Sequence, residues 1–322
     1  MSSGPSKQRD QSEELAGVEA ALRREVVSSR TLAGGFSHET CLLELADGPV
    51  VARFGGPDPG IEAAVMAAAS EYVPVPEVLL VVPGRDGRRP VMVIEYVTGT
   101  PLSEVLAQDK FSAAEFAELG AAVGAMAASV ARVEFDRAGF FADEQLTVRI
   151  EQPWSLQLPE FAAKAMATTP AARLDRETQQ TWAGLCAAHA PALARVDDQA
   201  RLAHADLNPK NILVSGRGRD WRVEALIDWE FAFSGCPYGD AANMMRFAGE
   251  YPAGYADGFL AAFVDHQPAE LPPSKDWAYL GRVLDMFALS DLVTRPLGHP
   301  VADQAAGVIK RWVADGVPRG DR

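Results

Sequence analysis

The chain has 322 residues, room for two domains or one large one, and its 48% hydrophobic content allows a sizeable core. A formal net charge of −14 argues against nucleic acid as a partner, because phosphates attract lysine and arginine; it fits a cationic small ligand, or a charge that serves solubility alone. Three cysteines, Cys41, Cys186 and Cys236, none in a CxxC pair, argue against a disulfide framework or a Cys-built zinc site and fit a reducing, cytoplasmic setting.

The opening MSSGPSKQRDQSEE lacks the apolar core of a signal peptide, and residues 1–11 read as a disordered lead. A helix is predicted from Ser12 to about Val26. TCLLEL and PVVARF read as strands joined at Asp47-Gly48, a pair suited to a turn with positive φ; the preceding AGGFSHET is a loop of small residues. GIEAAVMAAASEY is an alanine-rich helix. Pro74 and Pro76 keep the next segment extended, and strands follow at EVLLVV and PVMVIEYV around the turn GRDGRR. The first hundred residues thus predict about five strands and a packed helix, an antiparallel α+β pattern.

Beyond Leu102 the pattern changes. Phe116, Leu119, Val123, Met126 and Val130 recur at three- and four-residue steps, the apolar stripe of an amphipathic core helix. ETQQTWAGLCAAHAPALARV and several tail segments also read as helices. NILVSG and RVEALIDWE stand out as a strand pair inside this helical half. No stretch reads as the ~18 uninterrupted apolar residues of a membrane span. The boundary falls at Gly99 to Leu102, giving an N-terminal unit over 12–99 and a C-terminal unit over 100–322.

The stretch HADLNPKN, residues 204–211, directly precedes that strand pair, and Asp228 follows it. If the strands form a hairpin, Asn211 and Asp228 converge. An amide oxygen and a carboxylate are hard ligands suited to Mg²⁺. Asp206, upstream in the same loop, is placed to accept a proton or orient a hydroxyl. Taken singly, each has a plainer reading: Asp206 and Asn211 as turn residues, Asp228 as a strand-end cap, His204 as a packing residue. Jointly they spell H-x-D-x-x-x-x-N, then strand, turn, strand and I-D, the spacing of a kinase catalytic loop with an Asp base and an Asn on metal. In the N-terminal half, Gly34, Gly35 and Ser37 let backbone amides approach phosphate. Arg53 is the one cation of its strand, Glu62 is placed to pair with it, and VIEYV would edge a cleft where backbone groups bind a base.

On these motifs the sequence resembles the aminoglycoside phosphotransferase family, from about Leu32 to Trp312; HADLNPKNILV and LIDWEFAFSGCPYGDAA carry the likeness most specifically. The resemblance implies a protein-kinase-like bilobal fold, with an antiparallel β-sheet N-lobe and a mainly helical C-lobe. It implies Asp206 as the catalytic carboxylate, with His204 supporting its loop. Asn211 and Asp228 would bind Mg²⁺, and Ser37 would lie in the phosphate loop. Arg53 would clamp the nucleotide phosphates with Glu62 as its partner, and Glu95, Tyr96 and Val97 would form the hinge that binds the base. Asp240 matches an acidic residue expected to be structural. The clamp is Arg where the family pattern has Lys, and DWE stands where protein kinases have DFG, so Glu230 adds a second acid. The absence of a long activation segment with an APE-like end speaks against a protein kinase. The expectation is a Mg²⁺-dependent O-phosphotransferase that uses ATP or GTP on a hydroxyl of a small molecule, an antibiotic in preference to a metabolic sugar or amino alcohol. A catalytically silent binding module is the remaining alternative. No nucleic-acid or membrane partner is expected.

Overall fold

The computed structural model describes residues 5–32, 38–85, 88–271 and 273–320, with side chains from Glu14 onward. Helix α1 (Pro5–Leu22) starts inside the expected lead and stops before Val26. Proline suits the first position of a helix, and no glycine or proline interrupts the run until Gly17. Val26 instead opens β1 (Val26–Thr31), an edge strand with nearly every residue exposed. Its serines and arginine carry no apolar alternation, so no sequence pattern announces it.

The Asp47-Gly48 turn closes as expected: β2 (Glu39–Leu45) and β3 (Gly48–Phe54) pair antiparallel, Leu45 opposite Gly48, and Gly48 takes a φ of 134°. Helix α2 (Pro59–Ala69) follows, capped by the Asp58 side chain, and β4 (Val78–Val82) and β5 (Val91–Glu95) complete an antiparallel sheet of order β1-β2-β3-β5-β4. Alternation in β3 decides what each face does. Val50, Ala52 and Phe54 join Leu43, Val93 and Val18 of α1 in one apolar cluster. The opposite face, with Met92 and Ile94, joins Val65, Met66 and Ala69 of α2 in the main core. Arg53 lies on this second face, beneath α2.

From Thr100 the chain joins a different sheet. β6 (Thr100–Pro101) precedes α3 (Leu102–Leu106) and α4 (Ala113–Val130), whose N-terminus is closed by reciprocal Ser112 and Glu115 bonds. α4 buries the expected stripe. It is also, among the described residues, the one helix long and apolar enough to cross a bilayer, with mean hydropathy 1.3, although half of it is buried inside the molecule. Next come α5 (Trp154–Thr168), α6 (Arg176–His189), β7 (Arg201–Ala203), β8 (Ile212–Ser215), β9 (Arg222–Leu226), β10 (Phe233–Gly235) and α7 (Tyr238–Met245). α8 (Tyr255–Asp265), α9 (Trp277–Leu292) and α10 (Pro300–Asp315) complete the chain. β8 and β9 form the expected hairpin and take β6 as a third strand, while β10 pairs with β7, Phe233 opposite Ala203.

Candidate active site

The loop between β7 and β8 is built around Asp240, the acid at the start of α7. Its carboxylate accepts from the backbone N–H of His204 (2.8 Å) and of Ala205 (2.8 Å). This holds Ala205 at a φ of 66°, a conformation unusual for a residue with a Cβ. His204 is fully buried. Its Nε2 lies 3.0 Å from the Ile227 carbonyl, which can only accept, so Nε2 carries the hydrogen and Nδ1 accepts from the Asp206 N–H at 3.3 Å. Burial lowers the imidazole pKa to about 4. A neutral ring with both nitrogens engaged positions Asp206; it is not placed to exchange protons with a substrate.

Asn211 donates both amide hydrogens to Asp206, one to its carbonyl (3.0 Å) and one to Oδ2 (3.0 Å), which fixes the orientation of both side chains. Asn208 donates to the same carbonyl and accepts from Lys210 N–H, so it shapes the turn. The hairpin brings Asp228 alongside, because Ile227 N–H donates to the Asn211 carbonyl at 2.9 Å. Asp228 sits at a φ of 70°. Burial raises the Asp206 carboxyl above its ordinary range, against the opposing charge of Arg246.

Arg246 has no local motif to announce it. It follows α7 inside NMMRF, and its buried guanidinium pairs with Asp285 of α9, Nε to Oδ2 at 3.0 Å; Asn243 donates to the same carboxylate at 2.6 Å. The one sequence clue is a pair of opposite charges on helices otherwise facing the core. Of the other C-terminal residues, Trp154 is buried among Phe140, Phe233 and Phe287, and Glu250 accepts from Gln304 at the surface.

Arg53 is ion-paired with Glu62, as expected, and also bonds Asp228 Oδ1 at 2.7 Å and lies 3.0 Å from His38 Nδ1. Burial opposes its charge, but Glu62 and Asp228 outweigh it and hold the guanidinium above its ordinary pKa. Burial alone would push Glu62 the other way, toward its acid form. Yet Glu62 accepts from both Arg53 and the Trp229 N–H (3.1 Å), the bonding of a carboxylate, so the pair is ionised. His38 also reaches Glu230, Nε2 to Oε2 at 3.6 Å. At the far end of the sheet, Glu95 closes β5, its N–H taken by the Glu77 carbonyl at 2.8 Å; Tyr96 is exposed and Val97 half-buried. Ser37, Gly34 and Gly35 lie outside the described residues.

An antiparallel sheet with a buried Arg–Glu pair, set against a catalytic-type loop and a hairpin that ends in an acid, is the arrangement of a kinase-fold phosphotransferase. The sequence profile of the phosphotransferase enzyme family matches residues 28–273, and the chain belongs to that family. No curated protein matches the chain in sequence. Among solved structures, a thermostable mutant of aminoglycoside phosphotransferase APH(4)-Ia, in ternary complex with AMP-PNP and hygromycin B, aligns over 94% of this chain and 98% of its own at 18% identity and a TM-score of 0.69. The GDP complex of a mutant aminoglycoside 2'-phosphotransferase-IIIa aligns over 91% and 89% at 16% and 0.60. A protein assigned as a fructosamine-3-kinase from Haemophilus somnus aligns over 92% and 96% at 11% and 0.57. At these identities the likeness shows a shared kinase-like fold.

Proposed function

We propose that this protein moves the γ-phosphoryl group of ATP or GTP, with Mg²⁺, to a hydroxyl of a small cationic molecule, an antibiotic. The observation that carries the reading is the convergence of Asp206, Asn211 and Asp228 on one hairpin, with the Arg53–Glu62 pair facing them. Asn211 Oδ1 and the Asp228 carboxylate are the hard oxygen donors that Mg²⁺ takes, and the ion when bound neutralises charge on the phosphates. The remaining work falls to the chain. Asp206, oriented by Asn211 and His204, accepts a hydrogen bond from the acceptor hydroxyl and aligns it for attack. Arg53 grips phosphate oxygens through its planar fork. With the Glu95 N–H occupied, base recognition at the hinge rests on the Glu95 carbonyl and the Tyr96 and Val97 backbone.

A cationic acceptor is supported by a cavity of about 260 Å³ lined by Asp136, Glu151, Asp197 and Asp198 with a single arginine, Arg137. Trp154 on its wall packs edge-on against Phe233 at 5.1 Å, and Phe233 pairs across strands with Ala203, the residue before His204. The fold shared with a protein assigned as a fructosamine-3-kinase keeps a metabolic acceptor as the second reading. Incubation with Mg²⁺, ATP or GTP, and a panel of antibiotics, amino alcohols and glycated amines tests both by a gain of one phosphoryl mass. Asp206→Ala should lower kcat by about 10²–10⁴ with nucleotide affinity retained. Turnover by that variant at the parent rate refutes the mechanism, and nucleotide binding without transfer to any acceptor favours a binding module.

A further inference from the structure

Beyond the oxygen ligands expected on the catalytic loop, a second group of donors meets on the other side of Asp228. One ligand atom each from His38, Asp228 and Glu230 lies within 4.8 Å of the others. Bonds of about 2.0–2.2 Å to one ion set trans donors at most about 4.4 Å apart, so closing the set takes a few tenths of an ångström. Two of the three are fixed in the protein: the His38 side chain is 8% exposed and Glu230 3%, while Asp228, at 35%, opens the group to solvent. The imidazole lies in a recess left by Gly56, where a Cβ would sit 2.0 Å from Nε2; Gly56 also holds a φ of +85°. That recess turns Nε2 toward Glu230 and Nδ1 toward Arg53.

A cation already sits at this junction. The Arg53 guanidinium lies 2.7 Å from Asp228 Oδ1 and 3.0 Å from His38 Nδ1. A positive group seated between an imidazole and a carboxylate marks the position as one built for a cation. Imidazole nitrogen is a poor ligand for Mg²⁺ and a good one for first-row transition metals.

We infer that His38, Asp228 and Glu230 form a mixed nitrogen–oxygen site for a transition-metal dication, of the Mn²⁺ or Co²⁺ type, which the chain binds without nucleotide and for which Arg53 competes. The site shares Asp228 with the proposed Mg²⁺ position but requires neither nucleotide nor phosphoryl transfer.

The test is a titration of the full chain, free of nucleotide and Mg²⁺, with MnCl₂ followed by loss of the free-ion EPR signal, and with CoCl₂ followed by visible absorption. One ion per chain is expected. His38→Ala and, independently, Glu230→Gln should each weaken binding by at least about 10–100-fold, the loss that removing even a partner behind a metal ligand causes. Circular dichroism confirms that each variant is folded, so the pair remains informative if one is not. Arg53→Gln should tighten binding about tenfold by removing a like charge a few ångströms away. Asp206→Ala, which removes a neighbouring acid but no donor of the set, should weaken binding by less than His38→Ala does, which keeps this result separate from the transfer assay. The inference is overturned if the parent chain binds neither ion below millimolar concentration, if folded His38→Ala binds as tightly as the parent, or if Arg53→Gln weakens binding.

Discussion

Asp240 shows how a single carboxyl couples folding to activity. It is buried, it carries two backbone N–H bonds that set the turn into Asp206, and burial raises its pKa to about 6, with the Asp206 charge adding to the effect. The carboxylate is the better acceptor for those two amides, so the working turn belongs to its ionised form. Activity should therefore be lost as pH falls through about 6 rather than near 4, as a plot of kcat/KM against pH would show. The sign for stability is opposite. A carboxyl with a higher pKa folded than unfolded binds its proton more tightly in the native state, so protonation of Asp240 between the two values favours the fold. A thermal melt at pH 5.5 should show the protein folded while the rate has already dropped. Asp240→Asn should flatten the limb near pH 6 and lower kcat at neutral pH.

Among the elements, α4 and α8 cross closely, and glycine permits it. A Cβ on Gly120 would lie 2.1 Å from the Tyr255 carbonyl oxygen, one on Gly124 would lie 2.3 Å from that of Phe259, and one on Gly258 would lie 2.1 Å from that of Ala117. Gly124→Ala should lower stability by about 1–3 kcal/mol by forcing the helices apart. Gly184, in the exposed middle of α6, has no neighbouring atoms, and Gly184→Ala should raise stability by about 1 kcal/mol through helix propensity alone. Urea denaturation of the two variants separates the effects. The same elements show what sequence periodicity carries. α4 is legible because its apolar stripe is one-sided; the Ser112–Glu115 bonds that close its start are seen only in the fold. α5 escapes because Pro159 lies within it; burial of Trp154, Leu158, Ala162, Ala165 and Met166 outweighs a proline penalty of about 3 kcal/mol. β1 escapes because an exposed edge strand needs no apolar face. In the site, Asp206, Asn211 and Asp228 are legible because a hairpin fixes their spacing locally. Arg246 and His38 are not, since each acquires its partners only when distant segments fold together.

On the scale of the whole molecule, the N-terminal half and the C-terminal hairpin meet around Arg53. Arg53 and Glu62 come from the sheet and α2, and Asp228 and Trp229 from the segment after β9; Arg53 bonds Asp228 and Trp229 N–H donates to Glu62, with His38 against Glu230 and Leu226 N–H on the Pro74 carbonyl nearby. Arg53 therefore cannot turn toward an anion without releasing Asp228, and Asp228 cannot fully engage a cation while it holds Arg53. An anion and a cation binding at this joint help one another, and by linkage each must tighten the other by the same factor. Calorimetric titration of tripolyphosphate with and without Mn²⁺, and the reciprocal pair of titrations, should return one coupling factor. In Arg53→Gln it should shrink to what direct contact between the two ions supplies. The resting ion pair thus acts as a thermodynamic gate, one that neither ligand opens as readily alone as the two do together.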